Sequence, residues 1–325
     1  MLLLGVDAGG STTVAALADE TGQVLGMGVA GPGNFQTWGL EAARGEVEKS
    51  IALALQNAQA KRGEIAAAYF GMAGADRPRD YELVRQLLEP IVPPQASWAF
   101  ENDAFLGLWA GTKTGVGVGV ICGTGTNVVG VNAQGRRLQI GGLGTLFGDY
   151  AGGAYIGELA VARSQRGFEG RGTPTILYTL ILNHYGINNL LDLVDWIYEG
   201  RDLRLAELTP LVVEAAGQGD GVAREILTEV GQELGNSALT AVRRLFHPDE
   251  SVSVVAMGSV FQKSRYPFMY QAFVQTLESC VYQVEPQILK LEPVAGALYG
   301  AAAQIDLAVT EEFTKRMEHS LRLFG

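Results

Sequence analysis

Runs of apolar residues alternate with short polar turns at the start of the chain. Leu2–Val6, Val14–Ala18 and Val24–Val29 have the composition of strands, and the turns between them contain glycine, serine, threonine and acidic residues. Short apolar runs bounded by such turns are typical of strands that follow one another in an antiparallel sheet. The pattern therefore predicts a three-stranded meander whose first turn is rich in glycine and hydroxyl groups.

A second meander of the same kind is predicted in the middle of the chain. Val116–Ile121, Asn127–Val131 and a run that begins at Leu138 have the composition of strands, again with glycine-containing turns between them. A chance likeness between glycine-rich hairpins is one explanation, because such hairpins are common.

The spacing of the turns favours a duplication. Gly10 precedes Gly123 by the same interval that separates Gly22 from Gly135. One register across both turns predicts two similar domains, with one meander opening each half of the chain.

Strands and helices alternate between the two meanders. Glu41–Lys61, Tyr81–Leu88 and a segment that begins at Ala104 are predicted to be helical, whereas Ala66–Phe70 and Ser97–Phe100 are predicted to be buried strands. Such alternation predicts α/β layers.

The second half of the chain is mostly helical beyond residue 152. Its clearest stripe of apolar residues, predicted to pack in the core, consists of Val222, Ile226, Val230, Leu234, Ala238, Ala241 and Leu245. A late strand is predicted at Val252–Met257. The connection at Leu108–Thr114 is the expected domain boundary.

Composition and charge exclude several classes of partner. The chain has 325 residues with 35 acidic and 24 basic side chains, a formal net charge of −11, and no basic run longer than a pair. Nucleic-acid binders normally present a basic patch, so we expect no nucleic-acid partner. An acidic protein can still bind a phosphorylated ligand where Mg²⁺ and backbone N–H groups offset the charge.

The location of the protein is predicted from its cysteines and its apolar segments. Two cysteines, Cys122 and Cys280, form no CxxC pair or zinc-binding pattern, which fits a reducing compartment. Cys280 is expected to lie within an amphipathic helix. The start of the chain lacks a basic region and a long apolar run, and no segment approaches the ~20 apolar residues of a membrane span. We therefore expect a cytoplasmic protein without a membrane partner.

Two glycine- and threonine-rich turns are candidate phosphate-binding loops. Their residues are Gly9, Gly10, Ser11 and Thr12 in the first meander, and Gly123, Thr124, Gly125 and Thr126 in the second. Glycine lets the backbone approach a ligand closely, and successive N–H groups can bind an anion. Each loop alone could be an ordinary tight hairpin, but one loop in each half indicates a polyphosphate held from two sides. The sequence contains no Walker motif, and the first glycine turn leads into a strand, unlike a dinucleotide fingerprint.

Two aspartates are candidates for the chemistry. Asp7, at the end of the first strand, is suited to hold hydrated Mg²⁺, although a turn-forming aspartate would look the same. Asp103 follows the strand at Ser97–Phe100, and the carboxyl end of a strand in an α/β sheet is where ligands bind. It could instead cap the next helix, unless Asn102 does so. Transfer of a phosphoryl group from ATP needs a carboxylate that orients and deprotonates the attacking hydroxyl, which makes Asp103 the candidate base.

Two polar segments each have two interpretations, as a turn or as a contact with a ligand. Asp149 ends the glycine-rich segment that contains Gly142, and it could accept a hydrogen bond from a sugar hydroxyl or simply form a turn. Asn34 follows Pro32-Gly33 and has the same two interpretations. The three histidines have no partner motif, so we expect them to be structural.

The order of these motifs resembles the N-acetylglucosamine kinase and archaeal hexokinase branch of the actin/hexokinase/heat-shock ATPase superfamily, close to the BadF/BadG-type ATPases. The resemblance covers nearly the whole chain. Its motifs are Gly5–Thr12 and Gly123–Thr126 for phosphate, Gly31–Asn34 for sugar, Gly71–Gly74 at a strand end, Asn102–Ala104 around the catalytic aspartate, Ala256–Phe261 for adenosine, and Pro293–Ala303 as the last connecting helix.

The resemblance implies a fold and a mechanism. Two actin-like, ribonuclease H-like domains would face each other across a nucleotide and sugar cleft, which closes around the substrates and excludes water. Asp103 would take the proton from the 6-hydroxyl of a sugar as that oxygen attacks the γ-phosphate of ATP, and Asp7 would position Mg²⁺. Asn34, Asn102, Gly142 and Asp149 would contact the sugar, and Gly258 and Ser259 would contact the nucleotide.

The implied domains run from residue 1 to 111 and from 112 to 304, the second with helical insertions. The helix in residues 305–325 would complete the first domain. Dimers are common in the family, so a homodimer is one expected assembly. Leu143 and Tyr150 depart from the family pattern in the sugar loop, which leaves the identity of the sugar open, with N-acetylglucosamine as the first choice. The alternative function is an ATPase that drives a partner protein.

Overall fold

The computed structural model describes residues 1–324. These residues form ten strands, thirteen α-helices and three short 3-10 helices. The strands are β1 (Leu2–Ala8), β2 (Thr13–Asp19), β3 (Val24–Ala30), β4 (Ile65–Met72), β5 (Ser97–Glu101), β6 (Gly117–Cys122), β7 (Thr126–Val131), β8 (Arg137–Gly141), β9 (Ser251–Met257) and β10 (Gln283–Ile288). The helices are α1 (Phe35–Trp38), α2 (Leu40–Ala58), α3 (Pro78–Leu88), α4 (Ala104–Thr112), α5 (Gly153–Phe168), α6 (Leu177–Tyr185), α7 (Asp192–Tyr198), α8 (Thr209–Gly217), α9 (Gly221–Leu245), α10 (Ser259–Gln262), α11 (Phe268–Glu278), α12 (Pro293–Ala303) and α13 (Glu311–Leu321). None of the helices within residues 1–324 is long and apolar enough to cross a membrane.

The chain is divided into two compact units. Unit 1 contains Met1–Gly117 together with the chain from Leu289 onward, and unit 2 contains Val118–Ile288. These unit boundaries, at 117/118 and 288/289, differ from the expected domain boundaries at 111/112 and 304/305. The second boundary differs because α12 packs against β1, β4 and α4, which groups residues 289–304 with unit 1.

Unit 1 is built on a five-stranded sheet with the order β3-β2-β1-β4-β5. The pairs β1–β2 and β2–β3 are antiparallel, as the predicted meander requires, whereas β1–β4 and β4–β5 are parallel. Because β1, β4 and β5 run in the same direction, their carboxyl ends lie at one edge of the sheet. Asp7 near the end of β1 and Asp103 just after β5 are thus brought to the same edge.

Apolar helices cover both faces of this sheet. On one face, α2 and α3 bury Val47, Ile51 and Leu87, and on the other face α12 and α13 bury Leu298 and Phe313. Burial of aliphatic and aromatic side chains of this size stabilises a fold by about 1.5–3 kcal/mol per residue. The two helical layers therefore stabilise the sheet at whose edge Asp7 and Asp103 lie.

A close helix crossing fixes the position of α4. At Gly296 in α12, an added Cβ would overlap the carbonyl oxygen of Leu106 in α4. A larger residue at this position would push the two helices apart. Since Asp103 precedes the first turn of α4, this glycine also controls where the Asp103 carboxyl lies.

Unit 2 repeats the strand order of unit 1. Its sheet has the order β10-β9-β6-β7-β8, and β9 pairs in parallel with both β6 and β10. Counted from β8, this is the order of unit 1 counted from β3, in agreement with the repeat in the sequence. The apolar stripe of α9 is buried, which confirms its prediction as core, and α11 packs against α9.

Two elements differ from the sequence-based expectation. No strand is predicted at β10. This strand contains Pro286 and lies at the edge of its sheet, where a missing N–H group is tolerated. Cys280 was expected inside an amphipathic helix, and this was wrong, because α11 ends at Glu278. The Cys280 thiol instead donates a hydrogen bond to the carbonyl oxygen of Leu277, at 3.1 Å.

The last helix, α13, is attached to the hairpin formed by β2 and β3. The N–H group of Val24, at the start of β3, donates a buried hydrogen bond of 2.9 Å to the hydroxyl of Ser320 in α13. Phe313 of the same helix lies against the turn at Gly22. A hydroxyl thus satisfies a backbone donor that the β2–β3 pairing leaves unpaired.

We predict that Ser320→Ala lowers the free energy of unfolding by about 1–3 kcal/mol, because the buried N–H group of Val24 loses its acceptor. Denaturant unfolding of the two proteins measures the difference. Ser279→Ala is the matched control, since its exposed hydroxyl only donates back to its own helix. Equal stability of the Ser320 variant and the native protein would contradict this account.

Candidate active site

Two partly buried carboxyl groups, those of Asp7 and Asp103, lie near each other at the sheet edge of unit 1. Burial, together with the smaller effects of the neighbouring charges of Asp103 and Glu292, raises the pKa of Asp7 to about 7. Burial also raises the pKa of Asp103 to about 6, with a smaller contribution from Asp76. Groups with strongly perturbed pKa values, close together at the carboxyl ends of parallel strands, are typical of catalytic sites.

The structure distinguishes the two residues that could cap α4. The side-chain oxygen of Asn102 accepts a hydrogen bond of 2.9 Å from the N–H group of Ala104, so Asn102 performs the capping. Within residues 1–324, the Asp103 side chain makes no capping hydrogen bond. The Asp103 carboxyl is therefore available for chemistry, which the sequence alone left open.

Asn102 itself is held on both sides. Its side chain is only 3% exposed, and its amide nitrogen donates a hydrogen bond of 2.9 Å to Asp76. With one polar atom engaged in the cap and the other with Asp76, Asn102 orients the segment that carries Asp103. Its predicted contact with a sugar stays a prediction.

The loop after β4 brings Asn34 into the same neighbourhood. The Asn34 side-chain oxygen accepts hydrogen bonds from the N–H groups of Gln36 and Thr37, at 2.9 and 3.3 Å, and so caps α1. The Gln36 side chain in turn donates to the carbonyl oxygen of Gly74, at 2.8 Å. Because Asp76 follows two residues later and bonds Asn102, the segment from Gly74 to Asp76 links Asn34 to the Asp103 region.

Asp76 is a site residue that sequence reasoning missed. The sequence pattern around Asp76 indicates little, because an acidic residue soon after a Gly-Met-Ala-Gly strand end is common in loops. Only the hydrogen bond to Asn102 and the effect of Asp76 on the pKa of Asp103 reveal its place.

The first glycine-rich loop, between β1 and β2, is tight and exposed. The N–H group of Gly9 donates to the carbonyl oxygen of Thr12, at 2.9 Å, which closes the turn. Gly10, Ser11 and Thr12 are exposed around it. The loop follows Asp7 directly, so backbone donors and hydroxyl groups lie beside that carboxyl.

The second glycine-rich loop, between β6 and β7, is supported from α5 and β9. The N–H groups of Gly153 and Ala154 donate to the carbonyl oxygens of Gly123 and Thr124, at 2.7 and 2.9 Å. The Thr126 hydroxyl donates to the carbonyl oxygen of Ile121, at 2.9 Å. These bonds connect the loop to the start of α5 and to β6.

Two glycines with positive φ allow this close support. Gly152 has φ of 92°, and an added Cβ there would lie 2.6 Å from the backbone of Gly125. Gly258 has φ of 95°, and an added Cβ would lie 2.5 Å from the carbonyl oxygen of Cys122. Side chains at either position would be strained and would push the loop away.

A pocket of about 270 Å³ opens beside the second loop. It is lined by Gly123, Thr124, Gly153, Ala206, Glu207, Thr209, Pro210, Ser259, Val260 and Lys263. A neighbouring pocket of about 210 Å³ shares Thr209, Pro210, Ser259, Val260 and Lys263. The structure thus brings together predicted residues from the phosphate and adenosine motifs of unit 2.

Lys263 and Thr209 line both pockets, and neither was predicted. Lys263 lies one helical turn after Ser259, and that spacing was the available signal. Thr209 lies far away in sequence, and its hydroxyl donates to the carbonyl oxygen of Gly153, at 3.1 Å. A lysine and a phosphate-type loop in one pocket give it donors for an anionic ligand.

The predicted sugar loop of unit 2 is organised by Asp149. Its carboxylate accepts hydrogen bonds from the N–H groups of Leu143 and Gly144, at 2.6 and 2.5 Å. Of the two interpretations left open, the turn-forming one describes what Asp149 does here. Gly142 has φ of 82° above the side chain of Asn127, and contacts of Gly142 and Asp149 with a sugar remain predictions.

The residues around Asp7 fit a magnesium ion that is held mainly by water and phosphate. In the described part of the chain, no group of three or more His, Cys, Asp or Glu side chains could hold a metal by itself. Mg²⁺ prefers one or two carboxylates together with waters and substrate phosphates. The ionised form of Asp7 is destabilised by burial and by neighbouring acids, so a bound cation would stabilise it.

Comparison with known proteins identifies the family. Solved structures of similar fold include a Chromobacterium violaceum protein described as a candidate N-acetylglucosamine kinase, with a TM-score of 0.69 at 24% identity over 91% of this chain and 97% of that one. A glucokinase of the ROK family from Streptomyces griseus, in complex with glucose and AMPPNP, has a TM-score of 0.56 at 18% identity over 93% and 99%. The fold is therefore that of the two-domain, actin-like sugar kinases. The BadF/BadG/BcrA/BcrD ATPase family matches residues 4–301, and the chain belongs to it.

Curated relatives match from 80% to 94% of the chain. An N-acetylmuramic acid/N-acetylglucosamine kinase from Clostridium acetobutylicum is 29% identical over 94% of this chain and 99% of its own. An N-acetyl-D-glucosamine kinase from Dictyostelium discoideum is 27% identical over 81% and 86%. A glucosamine kinase, GspK, from Vibrio cholerae is 22% identical over 80% and 85%.

The raised pKa of Asp7 predicts how stability depends on pH. Between the ordinary value of 3.8 and about 7, the folded state binds more protons than the unfolded state. Stability from this group is therefore fully present below about pH 4 and is lost as the pH rises towards 7. We predict that Asp7→Asn, without metal or nucleotide, melts at least about 2 °C above the native protein at pH 8.

The difference should shrink as the pH falls towards 4, and melting curves at a series of pH values measure it. Asp195→Asn, which neutralises an exposed acid in α7, is the control for the loss of one negative charge. An Asp7 variant that melts below the native protein at pH 8 would show that the carboxylate is stabilised by the fold.

Proposed function

We propose that the chain is an ATP-dependent kinase that phosphorylates an amino sugar, with N-acetylglucosamine as the first choice of acceptor and its 6-hydroxyl as the position. The likeness over nearly the full length to relatives named as amino-sugar kinases supports the class of reaction. The geometry that carries the proposal is the Asp103 carboxyl, uncommitted to capping and located at a sheet edge beside Asp7.

Asp103 is proposed as the general base. With a pKa raised to about 6, its carboxyl is mostly ionised near neutral pH and is a stronger base than an ordinary aspartate. Efficient general bases have pKa values close to the working pH. Asp103 would orient the sugar hydroxyl and accept its proton while the oxygen attacks the γ-phosphate.

Asp7 and the two glycine-rich loops would bind the nucleotide phosphates. A magnesium ion, held through Asp7 and water, would neutralise charge that develops on the transferred phosphoryl group. Backbone N–H groups of Gly10, Ser11 and the loop at Gly123 would donate to phosphate oxygens. The pocket beside Ser259 and Lys263 would take the nucleoside.

The acceptor side of the site would lie around Asn34 and Asp103. Asn34 uses its side-chain oxygen to cap α1, which leaves its amide nitrogen to donate to a sugar hydroxyl. The Clostridium acetobutylicum relative is named for two acceptors, and we include N-acetylmuramic acid as a second acceptor. A cytoplasmic location and a homodimer are further parts of this proposal.

A partner-driven ATPase is the second candidate, and the description of the family as ATPases favours it. In that case ATP turnover would respond to a protein rather than to a sugar. The two candidates differ in one simple measurement.

We predict that release of ADP from Mg²⁺-ATP rises strongly when the right amino sugar is added. The panel contains N-acetylglucosamine, glucosamine, N-acetylmuramic acid, glucose and a control without sugar. Phosphorus NMR and mass spectrometry of the product then establish the 6-phosphate. ATP turnover that ignores every sugar would refute the kinase proposal and favour the partner-driven ATPase.

We predict that Asp103→Asn lowers kcat by about 10²–10⁴, the range typical of general base catalysis. Binding of ATP should persist, because Asp103 lies outside both glycine-rich loops, and calorimetry with a non-hydrolysable analogue measures it. Asp195→Asn serves as the control. A variant at position 103 that retains near-native kcat would exclude Asp103 as the base.

A further inference from the structure

Arg77 presents a guanidinium group that is fixed before any ligand binds. Its Nε–H and one Nη2–H group donate hydrogen bonds to the two carboxylate oxygens of Asp80, at 2.9 and 3.0 Å, and so form a bidentate pair. Asp80 is buried, whereas the Arg77 side chain is 69% exposed. A buried anchor thus holds an exposed cation in one orientation.

The guanidinium keeps donors for another partner. Arginine has five N–H donors, and the Asp80 pair uses two of them. The side-chain hydrogen bonds of Arg77 within residues 1–324 go to Asp80, and Asp76 adds a second negative charge nearby. The hydrogen bond and the charge of Asp80 also raise the pKa of Arg77 above its usual range, so the group stays cationic.

Arg77 lies next to the acceptor side of the proposed site. It follows Asp76 directly, and Asp76 bonds Asn102, the residue before Asp103. On the other side, the Gln36 amide donates to Asp80 at 3.3 Å, and Gln36 lies two residues after Asn34. The Arg77–Asp80 pair therefore lies beside the segment that joins Asn34 to the Asp103 region.

The charge around this segment is otherwise unfavourable for an acidic sugar. Asp103 and Glu292 lie close enough to Asp7 to raise its pKa, and Asp76 lies close enough to Asp103 to raise the pKa of that residue. The chain as a whole carries a formal charge of −11. A substrate with a carboxylate needs a local cation to offset this field, and a planar guanidinium matches a carboxylate in both charge and shape.

We propose that Arg77 binds the carboxylate of an acidic amino sugar and so makes N-acetylmuramic acid, which carries a carboxylate on its O3 ether, an acceptor. This inference rests on the proposed sugar kinase activity and names the residue that widens its substrate class. Because Asp80 already orders the guanidinium, little side-chain entropy is lost when the carboxylate binds.

Arg79 is the matched control for Arg77. It lies two residues further on, is exposed, and has no ion pair within the described residues. It carries the same charge in the same segment, but no buried carboxylate holds its side chain. A general effect of positive charge would involve both arginines, whereas the proposed contact involves Arg77 alone.

The test measures kcat/KM for three acceptors: N-acetylmuramic acid, its carboxamide analogue and N-acetylglucosamine. The carboxamide replaces the carboxylate by a neutral group of nearly the same shape. The native protein, Arg77→Gln and Arg79→Gln are compared. Because Arg77→Gln leaves Asp80 without its partner, the melting temperature of each variant is recorded. Arg77→Lys is added because it keeps the positive charge but cannot form the bidentate pair of a guanidinium group.

We expect Arg77→Gln to lower kcat/KM for N-acetylmuramic acid by about 10- to 100-fold, the range of a hydrogen bond to a charged group. N-acetylglucosamine should change less than about threefold on the same scale. The native preference for the acid over its carboxamide should disappear in Arg77→Gln and persist in Arg79→Gln. Arg77→Lys should be intermediate for the acid.

Two results would overturn the inference. One is a native protein that phosphorylates N-acetylglucosamine but not N-acetylmuramic acid. The other is an Arg77→Gln variant in which both sugars lose activity equally, as expected if Arg77 only balances Asp80. Failure of every sugar to be phosphorylated would instead refute the proposed function itself, so the two failures are distinguishable.

Discussion

The structure of unit 1 depends on the cost of holding carboxyl groups out of water at one edge of a sheet. Burial, more than mutual repulsion, raises the pKa values of Asp7 and Asp103. Close packing imposes that burial, because an added Cβ at Gly71 would overlap the Leu106 side chain and lie 3.1 Å from the Cα of Asp103. The same compact backbone that stabilises the layers therefore keeps the carboxyls basic and ready to bind cations or protons.

The two units share a strand order but differ in the chemistry at their loops. In unit 1 the first glycine-rich loop follows a carboxylate, Asp7, at the end of β1. In unit 2 the corresponding loop follows Cys122, whose thiol is buried and has a pKa raised to about 12, so it stays neutral. Unit 2 instead supplies hydroxyls, backbone donors and Lys263 around a pocket. The two units thus share one arrangement of strands, but unit 1 has carboxylates beside its glycine-rich loop and unit 2 has groups that can bind an anion.

The sequence predicted the elements better than the contacts within the site. Apolar runs and turns located almost every strand, apart from β10 with its Pro286. Motif spacing also indicated Asp7 and Asp103. Local sequence could not decide whether Asn102 or Asp103 caps α4, because both residue types cap helices well. Asp76, Thr209 and the Arg77–Asp80 pair acquire their roles only from residues distant along the chain or from burial, which a linear pattern does not contain.

The docking of α12 and α13 onto the sheet of unit 1 also has a consequence for synthesis on the ribosome. Unit 2 is one continuous segment, Val118–Ile288, and all of its strands are synthesised before α12. One face of the unit 1 sheet stays uncovered until α12 and α13 have been synthesised. The N–H group of Val24 likewise has no Ser320 hydroxyl to bond until then. The part of the chain made first is therefore the part completed last, and its exposed apolar sheet is the surface that nascent-chain chaperones would encounter.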